Sequence, residues 1–115
     1  MKNNKDKVSA IILGNQALVS NNTELIVKSA GNTPVFSYGK SSIKNGALAG
    51  YVADDYKLGM KLADSVYSVL FKNRPIKDVS VKIDNHPVFY INKNTLDNLN
   101  MKIPTRLKNK VVFTK

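Results

Sequence analysis

The sequence predicts an α/β fold in which a parallel sheet lies between flanking helices in three layers. Two observations carry that expectation. Short apolar runs rich in β-branched residues alternate with segments of helical periodicity, and the stretch 8–38 has the length and pattern of a strand–helix–strand crossover. A chain of 115 residues, 43% of them apolar, suffices for a single domain spanning 1–115 with a modest core.

Residues 8–13 (VSAIIL) form a nearly continuous apolar run ending at Gly14-Asn15, the signature of a strand buried on both faces. Asn21 and Asn22 offer N-caps to the helix TELIVKSA, in which Leu25, Ile26 and Ala30 share a face and Gly31 supplies the stop. Pro34 opens a second strand, VFS, which ends in the turn-prone Tyr38-Gly39-Lys40. Residues 41–45 make one helical turn before Gly46, and ALAGYVA at 47–53 reads as a small-residue strand whose signal Gly50 weakens.

Asp54 and Asp55 cap the longest periodic segment, 55–72, where Tyr56, Gly59, Met60, Ala63, Val66, Tyr67 and Leu70 form one stripe and Asn73-Arg74-Pro75 the end. Leu58, Leu62 and Val69 add a second flank, more apolar surface than a three-layer domain of this size covers. The excess calls for a partner. VSVKI at 79–83 alternates like a strand, Asp84-Asn85-His86-Pro87 reads as a turn, and PVFYIN at 87–92 is another strand. Asn92 then caps a short helix, KNTLDNL, with Leu96 and Leu99 facing inward, and the chain leaves through 101–104 into a basic tail.

Composition narrows the chemistry. The 18 basic residues outnumber the 8 acidic ones, for a formal charge of +10. The charge is mostly lysine and dispersed, without the stripe of cations and interleaved aromatics that nucleic acid requires, so it reads as a solvated surface. With no cysteine and one histidine, His86 in a turn, disulfides, thiolate nucleophiles and histidine metal clusters are all out of reach. The glycines match neither a phosphate loop nor a dinucleotide fingerprint. Asp54 and Asp55 read as helix caps, not an acid–base pair. No catalytic residue, metal or cofactor is expected, and nothing argues for an enzyme. The apolar stretch 8–13 is too short for a signal-peptide core or a membrane span.

What remains is positional. In open parallel α/β sheets, ligands bind outside the carboxyl ends of the strands. Two loops qualify here, Gly14, Asn15, Gln16 and Ala17 after the first strand, and Ser37, Tyr38, Gly39, Lys40 and Ser41 after the second. Their short polar side chains donate and accept hydrogen bonds, and they are equally good turn formers.

The run PVFSYGKSSIKNGALAGYVADDYKLGMKLADSVYSVLFKNRP resembles the C-terminal part of ABC transporter substrate-binding proteins with the type I periplasmic-binding fold. Pro34-Val35-Phe36 is similar to the family's strand leading into the cleft, Lys44 to Ala49 to its small-residue strand, and Asp54, Tyr56, Leu58 and Gly59 to its crossover and long helix. Residues 88–104 are similar to its closing segment. The resemblance implies two lobes, with 8–53 and 79–104 in the second and 54–78 crossing to an absent first. It implies ligand contacts from Asn15, Gln16, Ser37, Tyr38 and Gly39, a small organic solute such as an amino acid or sugar, an ABC permease as partner, and a periplasmic or cell-surface location.

Two departures bear on the ligand. An acidic or amide pair after a proline is common in the family where this chain has Gly14-Asn15-Gln16, which leaves a ligand amine without a formal countercharge. Ser37, Tyr38 and Lys40 stand where an acidic residue is frequent, and they suit a neutral or anionic group better. Three other readings stay open: an extracellular sensor domain of the same fold, an autonomous flavodoxin-like domain dimerising through 55–72, and a basic nucleic-acid binder.

Overall fold

The computed structural model describes residues 7–114; the polar residues 1–6 and Lys115 of the basic tail lie outside them. The described residues divide into two compact units, the first comprising 7–52 and 88–114 and the second residues 53–87.

The first unit is a five-stranded sheet in sequence order. Strand β1 (Ile11–Ile12) is followed by α1 (Ala17–Asn21) and α2 (Thr23–Ala30), then β2 (Val35–Phe36), α3 (Lys40–Lys44) and β3 (Ala49–Val52). After the second unit come β4 (Val88–Asn92), α5 (Lys93–Asn98) and β5 (Val111–Thr114). The pairs β1/β2, β2/β3 and β4/β5 are parallel, whereas β3 and β4 run antiparallel, with Ala49 opposite Ile91 and Val52 opposite Val88. The fold is therefore the expected α/β sheet with flanking helices, mostly parallel rather than wholly so.

Side-chain alternation divides the core between the two sheet faces. On one, Leu13, Val35 and Val52 pack with Ala30 of α2 and Ile43 of α3, with Val19, Ile26, Val27 and Tyr90 at the margin. On the other, Ala49 and Ile91 pack with Leu96 of α5, flanked by Phe36, Phe89, Leu99 and Ile103. These are the three expected layers.

One residue ties the layers together, and one sets the approach of two strands. The Asn92 amide donates to the carbonyl of Ile43 at 2.7 Å, while its own Oδ1 accepts the Thr95 N–H at 3.0 Å and so caps α5 as expected. Gly50 faces the backbone of Ser37 so closely that a Cβ there would run into the Ser37 carbonyl. That contact explains the weak strand signal at 47–53, since only a residue without a side chain fits. Gly31 ends α2 at φ +61°, the stop the sequence indicated.

Four sequence expectations change. The run 8–13, expected as a strand buried on both faces, pairs only at Ile11–Ile12, and Ile12 is 67% exposed. Residues 79–83 form no strand among the described residues: VSVKI alternates, but no neighbouring strand offers a ladder, and Val81 is 88% exposed. The segment expected as a basic tail contains β5, which the apolar VVFT forms by pairing with β4 from Phe89 to Asn92. A short helix, α1, precedes α2 and breaks at Asn22, whose amide donates to Leu18 O at 2.7 Å.

The second unit is built on α4 (Asp55–Leu70). Asp54 caps it, accepting the Lys57 N–H at 3.1 Å. No residue of 53–87 is buried, and Tyr56, Leu62, Leu70, Phe71 and Ile76 are well exposed. A groove of about 300 Å³ runs between α4 and the turn at Ile76–Asp78, lined by Leu62, Val66, Val69, Leu70, Ile76 and Val79. The return segment is held by polar contacts: Lys61 Nζ donates to Ile83 O at 2.8 Å, and Asp84 accepts the N–H groups of Asp54 and His86 at 2.9 and 3.0 Å.

Candidate functional site

The parallel pairing of β1 and β2 brings their carboxyl ends to one edge of the sheet: Leu13 N–H donates to Phe36 O at 2.9 Å, so the chain leaves both strands side by side. The loops expected to bind a ligand, 14–17 and 37–41, are thus neighbours on that edge. In the first, Asn15 and Gln16 are exposed, and the Gln16 side chain turns back over Gly14, where an added Cβ would stand 2.9 Å from its Oε1.

The second loop is more ordered. Ser37 is buried at 6% exposure, donates its N–H to Ala49 O at 3.1 Å, and uses Oγ to accept the Gly39 N–H at 3.1 Å. Tyr38, 61% exposed, turns its ring to solvent. A side chain at Gly39 would lie 3.8 Å from the hydroxyls of Ser37 and Ser42 and 3.9 Å from that of Ser41, so three hydroxyls surround a position that carries no side chain. Ser42 is anchored from below by Thr23, whose Oγ1 lies 3.0 Å from its hydroxyl. These contacts fix the loop without consuming every donor.

Lys40 is the one charged residue in the two loops. Its Nζ sits 4.8 Å from the centroid of the Tyr90 ring, a cation–π contact. Tyr90 is absent from the sequence-based set, because only the antiparallel register that sets Gly50 opposite Tyr90 carries it to this edge. Of the expected residues, the structure brings Ser37 and Gly39 together with the hydroxyls of Ser41 and Ser42, and Lys40, next in the chain, reaches the Tyr90 ring. Asn15, Gln16 and Tyr38 flank them on open surface.

A groove of about 600 Å³ elsewhere in this unit, lined by Lys93, Leu96, Lys102, Ile103, Val111 and Phe113 among others, involves none of the expected residues. Among the described residues no cluster of three or more His, Cys, Asp or Glu could hold a metal, and no helix is long and apolar enough to cross a membrane.

A mostly parallel sheet flanked by helices on both faces is an α/β fold of the periplasmic-binding-protein type. The chain belongs to the ABC transporter substrate binding protein family, whose sequence model matches residues 1–113. Among solved structures it is similar to a conserved domain protein from Vibrio cholerae O1 biovar El Tor, at 25% identity and TM-score 0.82, over 99% of this chain and 39% of that one. It is also similar to the ABC domain in complex with L-Trp from Streptococcus pneumonia, at 22% identity and TM-score 0.81, over 97% and 39% of the two chains. A ligand-free, open substrate binding protein with adhesive properties from Clostridium difficile aligns at 21% identity and TM-score 0.78, over 98% and 38%. This chain therefore spans about 39% of the length of those proteins. No curated protein matches it significantly.

Proposed function

We propose that this chain supplies one wall of the ligand cleft in a solute-binding component of an ABC-type uptake system. The wall is the edge formed by Asn15, Gln16, Ser37, Tyr38 and Gly39, and the solute is a small organic molecule, amino acid or sugar-like. The observation that carries the reading is the cluster of hydroxyls around Gly39 at the carboxyl end of β2, the position where open α/β sheets bind ligands. The complex with L-Trp recorded for one similar structure supports an amino-acid-sized solute.

In the intact protein the residues around α4 would belong to a first lobe, and closure of the two lobes on the solute would present the complex to a permease outside the cytoplasmic membrane. The unburied apolar face of α4 supports that reading. Half a cleft binds weakly, because the solute stays half exposed. The test is therefore a titration of the ¹⁵N-labelled chain with amino acids and sugars, followed by amide shifts. Saturable shifts confined to 14–17 and 37–41 are expected; shifts that scatter over the surface, or none at those residues, would refute the assignment.

A further inference from the structure

We propose that the solute held at this edge is an organic anion, with Lys40, braced on the Tyr90 ring, as its countercharge and the Ser37 hydroxyl as a second donor; the inference rests on the solute-binding reading above. It starts from an imbalance between donors and acceptors. Neither loop contains an aspartate or glutamate, and Lys40 is their only formal charge. Among the described residues the ion pairs are Lys57 with Asp54 and Lys93 with Asp97, so Lys40 has no carboxylate partner. What it has is the face of Tyr90, 4.8 Å below Nζ.

An aromatic face positions an ammonium without accepting its protons, so the N–H donors of Lys40 remain available to an oxyanion. The hydroxyl three residues before it is biased the same way. Ser37 Oγ accepts the Gly39 N–H, a bond that leaves its own proton available to donate. Ser41 adds a freely rotating hydroxyl on the exposed side. A carboxylate, sulfonate or phosphonate meets this set with charge-assisted bonds, whereas an ammonium meets a like charge and no countercharge. Tyr90 acts as a positioning residue, holding the lysine stem over the sheet.

The experiment compares three probes of similar size, propionate, propionamide and propylammonium, titrated into the ¹⁵N-labelled chain at constant ionic strength. Propionate is expected to shift the Ser37 to Ser41 amides saturably, about tenfold more tightly than propionamide, with propylammonium inactive. Lys40→Gln should erase the preference for the acid over the amide. Tyr90→Leu should weaken propionate several-fold, and Tyr90→Phe, which keeps the ring and the packing, should stay within about twofold of the parent. Equal binding of propionamide and propionate, or an acid preference that survives Lys40→Gln, would overturn the anion assignment and leave the solute-binding edge standing. If no probe moves residues 14–17 or 37–41, both fall together.

Discussion

The sheet unit and the α4 unit differ in what their apolar residues touch. In the sheet, Ile43, Val35 and Ala47 are almost wholly removed from solvent, and each larger aliphatic buried this way contributes roughly 1.5–3 kcal/mol. In 53–87 a comparable run of leucines, valines and aromatics buries nothing completely. That segment is held by its N-cap, by backbone hydrogen bonds within α4 and by a few side-chain tethers such as Lys61 to Ile83. Local sequence is enough to write a helix, but burial needs a second surface, and for α4 that surface is not supplied by the described residues of its own unit.

The contrast predicts that lesions in the sheet unit are severe and lesions around α4 mild and local. The largest effect is expected from Gly50→Val, because its side chain would drive into the Ser37 carbonyl; a loss of about 3 kcal/mol or more should appear as a collapse of the urea midpoint. A midpoint near that of the parent would show that the β2/β3 approach is not tight. Asn92→Ala removes both the bond to Ile43 O and the α5 cap, and should cost about 2–3 kcal/mol by the same measurement.

Around α4 the effects shrink. Asp54→Ala should cost about 1 kcal/mol, read as faster amide exchange in α4 while the exchange of β2, β3 and β4 stays unchanged. Loss of protection in the sheet as well would mean that the two units unfold as one, contrary to the comparison. Gly59→Ala should stabilise the helix by roughly 0.5–1 kcal/mol, since a Cβ there meets nothing within 4 Å.

The smallest effect is set by pH. The Asp54 N–H, then the His86 N–H, with help from Lys57 and Lys61, hold the Asp84 carboxyl below its ordinary value. A depressed carboxylate contributes stability above its unfolded pKa and loses it as the pH falls through the folded one. The Asp54 to Asp84 tether should therefore be indifferent to pH between about 5 and 8 and release only below the usual carboxylate range, near 3.9. A ¹³C titration of Asp84 should find its midpoint below that of the same residue in an 80–88 peptide; an equal or higher midpoint would remove the tether.

How much of this was legible in the sequence follows the range of the interactions. Caps at Asp54 and Asn92 and the stop at Gly31 depend on neighbours a few residues away, and the residues announce them. The failures are of pairing and burial. VSVKI carries the alternation of a strand, but periodicity assigns a face and not a neighbour, and none is present among the described residues. VVFT lies among lysines and becomes β5 only because β4 offers an edge. At the candidate site, Ser37 and Gly39 were readable from the position of a loop after an apolar run. Tyr90 was not, since its place beneath Lys40 depends on a strand that arrives from 53 residues past Ser37 and runs in reverse.

That reversal has a further consequence. Because Val52 stands directly opposite Val88, everything between them departs from and returns to adjacent points of the sheet. Topologically the second unit is a cassette clipped into a hairpin: a two-residue Asn-Gly turn would bridge the same gap, and the sheet register would not record the excision. The strand order of the sheet is thus insulated from changes in the length or content of the segment inserted there, and that segment can be lengthened, exchanged or tuned while the loops after β1 and β2 keep their places.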